Sequence, residues 1–337
     1  MALKDNEIRI VQASMLGSIL SNILLVLGCC FLVGGYGRLE QTFNVTAAAT
    51  MSSLMSVAAA SLIIPATLYA ALRKSNNSTQ HDTDDQILLL SHGTAIILLV
   101  LYVMYLYFQL RSHAKFFDEP EAGHGEGEDE EEHEEVILGP VAAGIALVVV
   151  TIGVAVCAEF LVGSIEEVVK KFNISKTFIG LILLPIVGNA AEHVTAIMVA
   201  HKDKMDLAIG VAIGSSMQIA LLVTPFLVIL GWIMGRAMTL HFETFETVVL
   251  FLTTIVVNSL ISDGKSNYLE GAMLVGTYVR SHITLQLHDW QLTDPQIYDH
   301  CARVLGLPKR RHRSGGHLQR RHELGPVMRF ISVSLPP

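Results

Sequence analysis

Residues 177–218 read TFIGLILLPIVGNAAEHVTAIMVAHKDKMDLAIGVAIGSSMQ. Two long apolar runs are joined by a short charged turn. The first run holds Glu192 and His193 in its interior, and the second holds Gly214, Ser215 and Gln218. A run of this length crosses a hydrocarbon layer of about 30 Å as a helix, and a carboxylate inside such a run costs several kcal/mol when charged, so it marks a functional position. The spacing places Pro185, Asn189, Glu192 and Ala196 on one helical stripe. Pro185 has no N–H for the Leu181 carbonyl, so a kink is expected beside a free carbonyl. Carboxylate, amide oxygen and free carbonyls form a hard-oxygen set of the kind Ca²⁺ takes. A protonated Glu192 bonded to a neighbouring helix is the structural alternative. His193 projects about 100° round the helix from Glu192, where it suits a proton relay or plain structural burial. No His or Cys partner stands at a zinc-binding spacing from it.

The rest of the chain has the same character. It is 51% apolar and 16% charged, with a mean hydropathy of +0.49, whereas soluble domains carry about 25% charged residues. Uncharged or nearly uncharged stretches occupy residues 11–35, 41–72, 86–110, 136–158, 177–200, 207–235 and 242–262. Backbone groups in lipid must bond internally, so seven transmembrane helices are expected. An eighth stretch begins at Tyr268 and is expected to stop near residue 279, where Arg280 and His282 follow. The expected fold is therefore all-α, a polytopic helical bundle. A net charge of −8 excludes nucleic acid as a partner, and the lipid bilayer is the expected environment. Basic residues are too evenly shared between the loops of the two sides to set an orientation. Cys29, Cys30, Cys157 and Cys301 have no paired spacing and are expected to pack as small apolar residues.

Four regions follow. Residues 1–110 hold three helices. Residues 111–135 form a linker whose segment 118–135 has 11 Asp or Glu and no Lys or Arg; it is a solvated or regulatory stretch, with Glu128, Asp129, Glu130, Glu131, Glu132, Glu134 and Glu135 at its centre. Residues 136–279 hold four to five helices. Residues 280–337 hold nine of the 23 Lys and Arg and are expected to be a disordered basic tail.

An internal repeat relates the first and sixth stretches. Lys4-Asp5 recurs as Lys202-Asp203 at an offset of 198, and Gly17-Ser18 recurs as Gly214-Ser215 at 197. Five spans separate the two starts, so the copies enter the membrane from opposite faces. This is the inverted-topology repeat of secondary transporters, whose sites lie at the repeat interface. Ser18 with Asn22 in one copy, and Ser215 with Gln218 in the other, each share a helix face; they serve as ligands or as helix–helix glue. Gly17 and Gly214 are expected to permit close helix approach. The first copy has no counterpart of the Glu192 helix, so the first repeat is incomplete and truncation at the N-terminus is expected. Glu243 and Glu246 begin the seventh stretch and are expected to cap it, or to form an ion-attracting mouth.

The motif Gly188-Asn189-Ala190-Ala191-Glu192-His193, with GVAIGSSMQ at 210–218 and VQASMLGSILSNILLVLG at 11–28, resembles the vacuolar Ca²⁺/H⁺ exchangers of the cation/Ca²⁺ exchanger superfamily. The resemblance runs from residue 1 to about residue 279. It implies exchange of Ca²⁺, with Mn²⁺ and other divalent ions as further cargo, for H⁺ at the vacuolar membrane, with no bound cofactor and no enzymatic activity. It implies that Glu192 binds Ca²⁺ and accepts H⁺, that Asn189, Gln218 and Ser215 assist, and that Ser18 and Asn22 contribute from the first repeat. It places the acidic run on the cytosolic face, controlling Ca²⁺ access. Two other readings stand beside it. One is a transport-incompetent fragment of such an exchanger with a structural or regulatory role. The other, an intramembrane metal hydrolase, needs several His or Asp within the spans, where only His92 and His193 occur.

Overall fold

A computed structural model describes residues 2–74, 80–114, 139–172 and 178–293. The acidic run, with Glu128 to Glu135, and the chain beyond Thr293 lie outside the described residues.

Helix α1 (Ile8–Gly34) is the central span: 72% of its apolar window is buried, against 0% for α4 (Pro140–Phe172). The contrast follows from where each helix finds neighbours. Leu16, Ile19, Leu20, Ile23, Leu24 and Leu27 of α1 are all enclosed by other helices. The apolar side chains along most of α4 face outward, as lipid-facing side chains do; near its end Ile165 joins a small cluster with Ile10 and Ile179, with Val168 and Val169 packed against it. Cys157 is exposed on α4 and packs against nothing in the core, unlike buried Cys30.

Around α1 stand α2 (Val45–Lys74), α3 (Gln80–Tyr107, with a wider turn Phe108–Ser112), α5 (Ile179–Gly188), α6 (Ala190–His201), α7 (Met205–Ile233), α8 (Thr244–Ile261) and α9 (Tyr268–Thr293). Among the described residues six helices, α1, α2, α3, α4, α7 and α8, are long and apolar enough to cross a membrane, and the bent pair α5–α6 passes the same test when taken together. Helices stand at all seven expected stretches, the fifth as that bent pair. A two-residue antiparallel ribbon, β1 (Gln41–Thr42) and β2 (Lys265–Ser266), ties the α1–α2 loop to the α8–α9 loop, with Gln41 opposite Ser266.

Helix α9 does not stop at residue 279 but continues through Arg280 and His282 to Thr293. It is clamped to α1 where two glycines meet. A Cβ on Gly28 would lie 2.9 Å from Leu274 Cβ, and one on Gly271 would lie 2.6 Å from the Gly28 carbonyl oxygen. A docked helix does not need a continuous apolar sequence to persist, because packing supplies most helical stability.

The repeat is visible in the backbone. Helix α1 opens into a wide π-helical turn at Ser21–Val26, and α7 does so at Ile219–Val223. These positions correspond at the 197–198 offset of the sequence repeat. Such turns leave backbone groups unevenly paired and recur at functional sites. The molecule is thus a polytopic helical bundle built on two inverted-topology repeats.

Candidate functional site

The α5–α6 span bends by 58°. The bend does not fall at Pro185, and it cuts the single stripe expected through Pro185, Asn189 and Glu192. Asn189 leaves helical geometry (φ −100°, ψ 10°), ends α5 and precedes α6. Two poor helix residues explain the position: Pro185 lies where the π-helical turn Ile179–Leu183 of α5 passes into its last α-helical stretch Leu184–Gly188, so its missing N–H falls at a change of bonding pattern, and Gly188 weakens the turn just before the break. Intrahelical bonding resumes on both sides, with the Asn189 N–H donating to the Pro185 carbonyl at 3.0 Å and the His193 N–H donating to the Asn189 carbonyl at 2.9 Å.

The break places two helix ends together. The carbonyl end of α5 favours cations, and the amide end of α6 favours anions. Glu192 lies in the first turn of α6, where an anionic carboxylate gains roughly 0.3–1 kcal/mol from the helix dipole. It is half-buried. The Ser215 hydroxyl donates to Glu192 Oε2 at 2.5 Å, and Asn22 Nδ2 donates to Ser215 Oγ at 3.0 Å. A relay therefore runs from the π-helical turn of α1 through α7 to the carboxylate of α6. It joins the two repeats, and Asn22 and Ser215 are 193 residues apart in sequence. Asn189 Nδ2 and His193 Nε2 are buried at the same break, without partners among the described residues.

Close packing holds this arrangement. A Cβ on Gly17 would fall on the Leu181 carbonyl oxygen and 2.7 Å from Pro185 Cγ, and one on Gly180 would lie 3.0 Å from Ala13 Cβ. The glycine face of α1 thus lies directly against the stretch whose carbonyl Pro185 leaves without its usual donor. Ser216 adds a second tie, donating to the Ala212 carbonyl at 3.0 Å and the Ile19 carbonyl at 3.4 Å.

Not every expected site residue joins the relay. Ser18 is buried one turn from Asn22, and its carbonyl accepts from Ser21 Oγ at 3.1 Å. Gln218 is exposed and lines a cavity of about 410 Å³ between α7, α2 and α3. Gly214 borders that cavity, and among the described residues a Cβ there would meet nothing within 4 Å. Among the described residues, no group of three or more His, Cys, Asp or Glu side chains gathers. A cation at the break would be held by a carboxylate together with hydroxyl, amide and carbonyl oxygens.

Glu243 stands at the N-cap of α8 without a side-chain cap bond, and Glu246 lies in its first turn, where a carboxylate suits the helix dipole. Glu246, 1% exposed, takes a bidentate pair of bonds from Arg9 of α1, and Glu243 lies 3.3 Å from the same guanidinium. Nearby His241 stacks on Tyr69 with ring centroids 4.1 Å apart. Burial, and then the charge of Arg9, push its imidazole below the ordinary histidine range, against the opposing pull of Glu243 and Asp84.

Arg9 and Asp206 drew no attention as single residues, yet the repeat register finds both. They correspond at the offset of 197. Arg9 ties the start of α1 to α8. Asp206 ties the start of α7 to the start of α2 by accepting the Asn44 N–H at 2.6 Å.

A broken helix carrying a carboxylate, crossed by two helices related by an inverted repeat, defines a secondary transporter fold. The chain matches the sodium/calcium exchanger protein family over residues 1–111 and 142–284, and it belongs to that family. It is 50% identical over 278 residues to a vacuolar calcium ion transporter of Schizosaccharomyces pombe, a match covering 82% of this chain and 65% of the relative. It is 44% identical over 280 residues to vacuolar cation/proton exchanger 2 of Oryza sativa subsp. japonica, covering 82% and 62% respectively. The chain thus spans just under two thirds of the length of these relatives. Native YfkE superposes with a TM-score of 0.68 at 36% identity, covering 85% of this chain and 78% of that one. The H⁺/Ca²⁺ exchanger CAX shares the fold, with a TM-score of 0.57 at 14% identity, covering 89% of this chain and 74% of that one.

Proposed function

We propose that this chain works in a secondary active transporter of the vacuolar membrane that exchanges cytosolic Ca²⁺ for H⁺. Mn²⁺ and other hard divalent ions are further cargo, since the same oxygen donors suit them. The observation that carries this reading is the Asn22–Ser215–Glu192 relay at the break between α5 and α6. It aims a carboxylate, with its hydrogen-bond donors already in place, at the junction of the two repeats. The names of the relatives point to the same cargo.

The chemistry is a competition for one carboxylate. A divalent cation favours ionised Glu192, and desolvation favours the protonated acid. When Ca²⁺ binds, Glu192 supplies the charge, and Ser215, Asn189 and the α5 carbonyl end supply neutral oxygens. Ser215 Oγ accepts from Asn22 with one lone pair and keeps the other for the ion. On the acidic side a proton takes the carboxylate and the ion leaves. Rocking of the bundle about the site exposes it to each face in turn. His193, one residue from Glu192, is assigned to proton delivery. Ser18 is assigned to the first-repeat side of the cargo path, with Asn22, and Gln218 to coordination from the second repeat. The acidic run, with Glu128, Asp129, Glu130, Glu131, Glu132, Glu134 and Glu135, is assigned to the cytosolic face as a modulator of Ca²⁺ access.

The test uses the purified chain in vesicles with an acidic interior, followed by ⁴⁵Ca²⁺ uptake and by equilibrium ⁴⁵Ca²⁺ binding at neutral and acidic pH. Binding at neutral pH that is released in acid, and lost at least tenfold in Glu192→Gln, is the expected result. Unchanged binding in Glu192→Gln, with the variant folded, removes the carboxylate from the mechanism.

A further inference from the structure

Asp203 stands in the turn between α6 and α7, and two features of its position disfavour an acid there. Its φ is 67°, a left-handed conformation that glycine adopts freely and that costs free energy for a residue with a side chain. The turn itself demands that conformation, because the Asp203 N–H donates to the Ala200 carbonyl at 3.1 Å and the Lys204 N–H to the Val199 carbonyl at 3.2 Å. The same two bonds recur at the start of α1, from Asn6 (φ 63°) to Leu3 at 3.2 Å and from Glu7 to Ala2 at 2.9 Å. Asparagine or glycine therefore satisfies this turn, and its backbone does not call for an acid. The Asp203 carboxylate also sits at the carbonyl end of α6, where the helix dipole favours cations. What the acid gains is two donors on the α1–α2 loop. Asp203 Oδ1 accepts from Gln41 Nε2 at 2.7 Å and lies 3.1 Å from Arg38 Nη1. Gln41 is itself well held: it is 3% exposed, pairs with Ser266 in the ribbon, and fills space left by Gly34, where a Cβ would fall on Gln41 Oε1.

We propose that Asp203 is a positioning residue for ion binding: it pins the far end of α6 to the α1–α2 loop and so fixes the aim of Glu192 at the near end. The inference rests on the cargo reading above and adds the part that orients its carboxylate. Helix α6 is short, and the break at Asn189 frees its near end from the axis of α5. Its direction is therefore set by what grips it elsewhere. Glu192 lies about 16 Å along the axis from Asp203 at about 1.5 Å per residue. A tilt of a few degrees about one end then moves the other by about 1 Å, enough to misplace a reacting group. The ion pair with Arg38 is exposed and adds little to overall stability. The contribution of the clasp is to geometry.

The experiment sets stability against positioning. Asp203→Gly removes the clasp and also relieves the left-handed strain, so its melting temperature in detergent should stay within a few degrees of the parent. Its equilibrium affinity for ⁴⁵Ca²⁺ at neutral pH should nevertheless fall about tenfold, the scale seen when a group that orients a metal ligand is lost. Asp203→Asn keeps an oxygen for Gln41 and suits the turn, so it should bind within about twofold of the parent. A second readout follows α6 directly. The native cysteines are replaced by serine or alanine, and spin labels are attached to Val194→Cys on α6 and Ile255→Cys on α8, both exposed positions. Pulsed electron spin resonance should give one narrow distance in the parent and in Asp203→Asn, and a broad distribution in Asp203→Gly. Parent affinity and parent distances in Asp203→Gly overturn the proposal. Melting far below the parent overturns it too, since Asp203 then serves stability alone. Weakened binding with unchanged distances, equal in the Gly and Asn variants, also overturns it, because the acid then acts on the ion through its charge. If the parent binds no ⁴⁵Ca²⁺ but Asp203→Gly broadens the distance, the cargo reading fails and the pinning of α6 stands.

Discussion

Helices α1 and α7 carry the same Gly-Ser pair and the same π-helical turn, yet they live in different surroundings. At its start α1 is locked to α8 by the Arg9–Glu246 pair, and along its glycine face it is sealed by α5. Helix α7 begins with a carboxylate, Asp206, that makes one backbone contact, and its glycine face lies open to a cavity. Gly17 of α1 is a contact point with α5, and its mate Gly214 on α7 meets no neighbour among the described residues.

The largest expected effect that would break this comparison is at the two helix starts. Arg9→Ala leaves the buried Glu246 carboxylate without its partner and should cost about 3–5 kcal/mol, whereas Asp206→Ala removes a cap-like contact and should cost about 1 kcal/mol. Thermal unfolding in detergent would show it, and equal losses would mean the two starts are held alike. Next come the glycine faces. Gly17→Ala forces a methyl onto the Leu181 carbonyl and should destabilise by about 1–3 kcal/mol. Gly214→Ala meets nothing and should stabilise by about 0.5–1 kcal/mol through helix propensity. A Gly214→Ala variant that unfolds as readily as Gly17→Ala would show that α7 also has a close neighbour.

The smallest effect sharpens the α1–α8 end. His241 titrates below the ordinary histidine range in the folded protein because of burial and Arg9. The unfolded chain therefore binds its proton first as pH falls. The contribution of the neutral ring is complete above the ordinary value of about 6.5 and is lost as pH drops below it. His241→Phe, which can keep the stack on Tyr69, should flatten the decline of melting temperature on that acid side. A slope unchanged from the parent would assign the acid sensitivity to other groups.

Much of the bundle was legible without coordinates because hydropathy is a local property of the chain. Runs without charges must become helices in lipid, and six appear as long apolar helices with the fifth run as a bent pair. The break in the fifth span was half-legible. Pro185 announced a distortion, but the hinge fell at Asn189, where the residue after Gly188 leaves helical geometry while Pro185 stays within α5, just past its π-helical turn. The persistence of α9 past residue 279 was hidden because Arg280 and His282 look like an ending. Only the Gly28–Gly271 crossing shows that the helix is held by its neighbour. Among the candidate site residues, Ser215 and Asn22 were recognisable from the repeat, and their meeting with Glu192 was not. Arg9 and Asp206 could have been found by carrying the 197-residue register to the helix starts.

By itself, the sequence determined that this is a membrane bundle of two related halves with one carboxylate inside a span, since charge, apolar length and spacing act through the nearest few residues. The tertiary structure alone decided which glycine face is sealed and which is open, where the fifth span breaks, and that Asn22 reaches Ser215 across 193 residues of chain. Those outcomes depend on which helix packs against which, and packing is settled by shapes brought together in space.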